Sequence, residues 1–345
     1  MLRVAAFGAC LALFFHALAQ SDLAGAWARI RAIGPIALVI LVPFPLGLAF
    51  DVAAWRRLLA ALERRVPLRK LYQVRLVTEA VNNSAPAGVV WSEAIAPVLV
   101  AQRTNASVAD AFAASTAKRW LVVRTHGLYV ALSVALGWTA IAHASSALLG
   151  GRHGLPFVVL VGAALLVALS LGIETIAARA QIAGRVSGQL GKIRFPRLRA
   201  WIEARHHQFE HADAQLGRLA DDHRATAGAM ARVAMLWLFE GLETFVILHL
   251  LGARLGWIEV ISFDAALSVA RSAAFFAPSG IGVQDVGYLA VLQAYGVPDA
   301  ATIGPAFVVL KRAKESFWIL VGFVILGLFR RRGQGVHAPP LGSST

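Results

Sequence analysis

The chain has 345 residues, 58% of them hydrophobic, and a mean hydropathy of +0.66, the composition of a membrane protein rather than of a soluble domain. A net charge of +14 would suggest nucleic acid in a soluble chain, but the basic residues gather in a few segments and form no RNA-binding or recognition-helix motif. The one cysteine, Cys10, excludes an internal disulfide and any cysteine-rich metal site.

Several apolar runs are long enough to cross a hydrocarbon layer, which takes about 20 helical residues. In chain order, 1–20 carries Arg3, an apolar run and Ala17-Leu18-Ala19 before Gln20. That pattern suits either a signal cleaved near residue 19 or a retained first helix, and the topology below suits the retained helix. A span over 33–55, flexed by Pro43 and Pro45, runs into a basic, cytoplasmic segment from Arg56 to Arg75. Residues 71–101 are apolar but broken at NNSAPAG, which predicts a hairpin of two half-helices. Spans follow over 120–142 and 155–178. A polar stretch over 179–228 is expected as a cytoplasmic, surface-lying amphipathic helix. A span over 229–251 precedes a second broken stretch, 269–295. A last helix, 302–329, is closed by Arg330, Arg331 and Arg332 on the cytoplasmic side, with a disordered tail over 333–345.

The two broken stretches superimpose. Pro278, Gly280 and Asp285 match Pro86, Gly88 and Glu93 at a constant offset of 192, and Lys311-Arg312 matches Lys118-Arg119 at 193. Seven residues before each proline stands a charge, Glu79 in one copy and Arg271 in the other. Three crossings lie between the hairpins, so the hairpins enter from opposite faces. The expected fold is an all-α polytopic membrane protein: about six full spans plus two broken re-entrant hairpins, one embedded domain over 1–332 with inverted halves near 1–150 and 151–332.

Interrupted backbone is tolerated at membrane depth only where protein buries it or a watery cavity adjoins it. A half-helix starting near Ser279 or Gly280 would offer free N–H groups and a positive dipole end to an anionic headgroup, with Gly280 and Gly282 permitting close approach; a tight packing turn is the plainer alternative. Asp285 and Glu93 either favour the dipole of the first turn or carry protons that couple transport. Arg271, Lys311, Arg312 and Lys314 suit a phosphate, though Lys311 and Glu315 are also spaced as a helix-surface pair. Glu240 and Glu243 share a face, as partners of Arg271 or Lys311 or as a proton relay. Asn82 and Asn83 either bond a headgroup or cap the half-helix. His207-Gln-Phe-Glu210-His211 matches an inverted zinc-protease pattern, but a polar segment of this size builds no enclosed cleft, and no metal is expected. The Asn105-Ala-Ser107 sequon falls on the cytoplasmic side and carries no meaning there.

Over RSAAFFAPSGIGVQDVGYLAVLQAYGV and the following LKRAKE, the chain resembles the flippase-like proteins related to the membrane region of lysylphosphatidylglycerol synthase, and within them the HpnL-type branch associated with hopanoid biosynthesis. The family's P-x-G-x-G-x-x-E element corresponds to Pro278, Gly280, Gly282 and Asp285, with Asp in place of Glu. Its weaker N-terminal element corresponds to Glu79, Asn82, Gly88 and Glu93, with Val90 where a second glycine is common. The resemblance implies a bacterial inner-membrane protein, C-terminus cytoplasmic, that moves a lipid between leaflets: a hopanoid or an anionic or aminoacylated phospholipid. Its partners would be membrane lipids and lipid-biosynthesis enzymes; no cofactor is implied, and no Walker A motif is present. An enzyme would need a nucleophile or acid–base pair, and the sequence offers carboxylates but no convincing nucleophile. A modifying or assembly factor in hopanoid or glycolipid synthesis is the alternative.

Overall fold

The computed structural model describes residues 22–85, 88–179, 206–273 and 283–334; all regular structure within them is helical. The first helix, α1 (Leu23–Ile33), starts where the Asp22 carboxylate accepts from Gly25 N at 2.9 Å, and it ends at Gly34, whose φ of 59° suits a residue without Cβ. A 3-10 stretch, Gly34–Leu41, connects it to α2 (Pro43–Ala61). Pro35, Pro43 and Pro45 lack the N–H groups that an α-helix would direct to residues 31, 39 and 41, so the chain winds more tightly there, with Val42 N bonding Val39 O at 3.0 Å. Kinked or not, 23–61 forms one apolar path of 39 residues with a mean hydropathy of 2.3.

The first hairpin is α3 (Leu68–Ser84) and α4 (Gly88–Arg103), broken where NNSAPAG predicts. Next, α5 (Val108–Leu136) is capped by Ser107, which accepts from Asp110 N at 3.0 Å while its hydroxyl donates back to Asp110 Oδ2 at 2.7 Å. The single straight span expected over 120–142 is corrected here. The chain turns by 86° at Gly137 into α6 (Trp138–Leu149). At Gly137 the backbone presses on the Ser262 side chain, and a Cβ would overlap it. The long apolar α7 (Gly154–Arg179) follows.

In the polar stretch, α8 (His206–Asp221) is amphipathic as expected, but its apolar face is not spread on a surface. Leu216 and Leu219 sit in the core beside Trp55 and Trp120. Asp222 then caps α9 (His223–Leu250) through Ala225 N at 2.8 Å, so this span begins earlier than the expected 229. The chain ends in α10 (Trp257–Ala273), α11 (Val283–Ala294) and α12 (Ala300–Gln334).

Among the described residues, three helices are long and apolar enough to cross a membrane (Leu23–Ala61, Gly154–Ala177 and His223–Leu250), or four if the bent α5–α6 pair counts as one. The expected six is thus not reached by length and composition. α12 has 35 residues but carries Lys311, Arg312, Lys314 and Glu315 along its first half, which lowers its hydropathy, and 1–21 lies outside the described residues. Large apolar side chains nevertheless stand outward along the helices, Phe157 and Leu165 on α7 and Leu320 and Val324 on α12 among them, as a lipid-facing surface requires. At the centre α2 lies along α9, with Gly47 close against Phe239. Helix α3 packs on α12, and α10 packs on α5, so each hairpin leans on the long helix of the other half of the chain.

A buried ionic seam as the candidate site

The centre of this bundle holds two clusters of charge. In the first, Asp51 of α2 is 1% exposed, and its Oδ2 accepts from Arg75 Nε of α3 at 2.6 Å and from Lys118 Nζ of α5 at 2.8 Å. Arg75 also pairs with Glu79 one turn further along α3, and Glu79 in turn accepts from Asn83 Nδ2 at 2.9 Å. The Lys118 ammonium stands 5.0 Å from the Trp55 ring centre, an added electrostatic attraction for a desolvated cation. Glu93 of α4 faces Arg119 of α5 at 3.7 Å, a looser and half-exposed pair.

In the second cluster Glu243 of α9 is buried between two lysines of α12. Lys314 reaches both its oxygens at 2.7 and 2.8 Å, and Lys311 reaches one at 3.5 Å. Lys311 rests 5.4 Å from the Tyr288 ring centre, and Lys314 5.0 Å from that of Phe44. One residue along, Arg312 donates from Nε and Nη2 to Asp285 Oδ1 of α11, at 3.1 and 2.7 Å, and from Nη1 to Glu315 at 2.7 Å. The surface pair of Lys311 with Glu315 that i,i+4 spacing allows does not form: Glu315 turns to Arg312, and Lys311 turns inward to Glu243.

A cavity opens beside each cluster. The first, of about 50 Å³, has Asp51, Asn82 and Glu93 in its wall; the second, of about 130 Å³, has Asn83, Glu240 and Lys311. Glu79 and Leu236 belong to both walls. Charges at membrane depth are costly, and they persist where they pair with one another or border an aqueous cavity. Here the charges pair with one another and line two cavities with polar walls. Chemically the seam is a line of carboxylates and cations able to exchange partners with a charged guest.

Of the residues marked by sequence, Glu79, Asn82 and Glu93 meet at the first cavity and Glu240, Glu243 and Lys311 at the second, with the Asp285–Arg312 pair beside it. Gly88 begins α4 so close to α3 that a Cβ would run into the Asn82 backbone. Val90 instead points outward, 64% exposed, so no close backbone approach is needed at that position. Arg271 belongs to α10, with its side chain outside the described residues, as are Pro278, Ser279, Gly280 and Gly282. Sequence reasoning missed Asp51 and Arg75; Arg75, counted only with a basic segment, lies two turns inside α3, is 20% exposed and pairs with Asp51. A signal for Asp51 existed: it is an ionisable residue within an apolar span, and it stands 192 positions before Glu243. The histidines of the HQFEH run do not converge. His207 is fully exposed, His211 reaches Asp110 at 3.1 Å, and no group of three or more metal-ligand side chains occurs among the described residues.

A family model described as lysylphosphatidylglycerol synthase TM region matches residues 1–329, nearly the whole chain. The protein belongs to that family. Family membership makes it a membrane protein with a lipid-related role, and it places both ionic clusters inside the family's shared region. Neither the curated proteins nor the solved structures yielded a match.

Proposed function

We propose that this protein moves a polar-headed lipid between the leaflets of the bacterial inner membrane, with the headgroup passing along the buried ionic seam and the C-terminus on the cytoplasmic side. The observation that carries this reading is the pair of buried carboxylates in long apolar helices, Asp51 and Glu243, each held by lysine in a wall of a polar cavity. A bundle that only needed to pack would favour apolar side chains of equal volume at these positions.

The same pairs support an inverted repeat. Asp51 and Glu243 stand at the offset of 192 that relates the hairpins, and Lys118 and Lys311, their partners, at 193. Glu93–Arg119 and Asp285–Arg312 repeat the relation one step outward. In this reading α2 to α5 correspond to α9 to α12, the bent α5–α6 pair counts as one crossing, and the hairpins enter from opposite sides. Alternating exposure of one central site follows from such a pseudo-twofold arrangement. Hopanoid and aminoacylated or anionic phospholipid are the substrate classes to compare first.

The family's description names a synthase, and that favours one second reading, a membrane component serving a lipid-modifying pathway. Proteoliposomes with acyl-labelled lipids and an impermeant quencher separate the two. Wild-type protein should speed loss of inner-leaflet label, and Lys314→Met should abolish the effect. Folded wild-type protein that moves no lipid class, with or without a proton gradient, overturns translocation in favour of the pathway role.

A further inference from the structure

Two residues in the wall of the first cavity each carry a buried polar side-chain atom, one an acceptor and one a donor, with no hydrogen-bond partner among the described residues. Asp51 Oδ1 has no hydrogen-bond partner among the described residues, although Oδ2 takes two. In the same wall Trp55 is 1% exposed, and its indole N–H has no acceptor among the described residues. Buried polar atoms are satisfied in the great majority of cases, so such orphans call for a guest that offers one donor and one acceptor.

The charges of the wall narrow the guest further. Three carboxylates (Asp51, Glu79, Glu93) face three cations (Arg75, Lys118, Arg119), a balance of zero. An anionic headgroup would unbalance the cavity, whereas a group carrying both signs leaves it neutral. The loose Glu93–Arg119 pair, at 3.7 Å, is the one that can part to receive opposite ends of such a group. Space adds a further limit. About 50 Å³ holds a few water-sized groups, enough for a primary ammonium and tight for a trimethylammonium. A trimethylammonium also has no N–H to give to Asp51.

We propose that this cavity is a selectivity site for a zwitterionic lipid headgroup with a primary amine, the ammonium donating to Asp51 Oδ1 and the phosphate accepting from Trp55 and Arg119. The inference rests on the translocation reading and names its substrate class.

The test uses full-length protein in proteoliposomes carrying acyl-labelled phosphatidylethanolamine, phosphatidylcholine or phosphatidylglycerol. Phosphatidylethanolamine should move roughly tenfold faster than the other two, the worth of one hydrogen bond to a charged group. Asp51→Asn should erase that preference. Trp55→Phe, which keeps the ring against Lys118, should slow all three by a few-fold without altering their order. Equal wild-type rates, or phosphatidylglycerol fastest, overturn the amine site while leaving translocation standing. If no lipid moves, translocation fails, and thermal stabilisation of the detergent-solubilised protein decides the amine site alone. Selective protection by phosphatidylethanolamine supports it, and equal protection by all three lipids overturns it. Should Asp51→Asn not fold, the wild-type lipid order and Trp55→Phe still decide.

Discussion

Glu243 is a residue whose removal the structure makes expensive. It is 3% exposed, and Lys311 and Lys314 around it are 4% and 6% exposed. Glu243→Gln keeps the shape and deletes the charge, leaving two ammonium groups in one buried site with no anion between them. Breaking a buried ion pair by removing one partner costs about 3–5 kcal/mol, a large share of a folding stability of roughly 5–15 kcal/mol. Two lysines rather than one put the expectation at the upper end, offset by what water in the adjoining cavity recovers. The assay is equilibrium unfolding in mixed micelles, with wild type, Glu243→Gln, Lys314→Met and the double variant. The double variant should recover part of the loss, with a coupling of at least about 1.5 kcal/mol, because Lys314 makes the two shortest contacts. A loss under about 1 kcal/mol together with strict additivity would refute the reasoning, since it would mean that all three groups are solvated and the seam is not buried.

Two further outcomes follow from local geometry. Gly88→Val should destabilise the first hairpin by more than about 2 kcal/mol, seen as a lower melting midpoint and faster proteolysis between α3 and α4, because its side chain has only the Asn82 backbone to occupy. Arg312→Lys should cut lipid movement by roughly tenfold in the proteoliposome assay while the protein remains folded, since one ammonium cannot serve Asp285 and Glu315 in the forked geometry of the guanidinium.

Much of this architecture was legible from apolar run lengths and breakers. The first hairpin breaks within NNSAPAG, α7 starts and ends within one residue of expectation, and α12 starts within two, although it runs on through Arg330–Arg332 to Gln334, into the stretch expected as a disordered tail. The bend at Gly137 was not legible, because no proline marks it and the close contact of Gly137 with Ser262 joins residues more than a hundred positions apart. Likewise the burial of Arg75 depends on Asp51 across the bundle; in sequence it is only the last cation of a basic run. The sequence did offer Lys311 as a partner of Glu240 and Glu243, and the structure puts it on Glu243. Local chemistry reveals caps and breaks, whereas ion-pair partners across a bundle become readable only through the internal offset.

The 3-10 stretch at Gly34–Leu41 has a mechanical consequence. Its 8 residues rise about 2.0 Å each instead of about 1.5 Å, and turn about 120° each instead of about 100°. Side chains three apart therefore line up: Ile36, Val39 and Val42 face outward in a straight row, while Ile40 and Pro43 face inward. Rewinding this stretch as α-helix would draw α1 in by about 4 Å and rotate it by about 160°. The segment is thus a short screw thread between α1 and α2. Its phase is held at the far end by Arg29, which bonds Leu251 O at 2.7 Å and Asp299 at 3.0 Å.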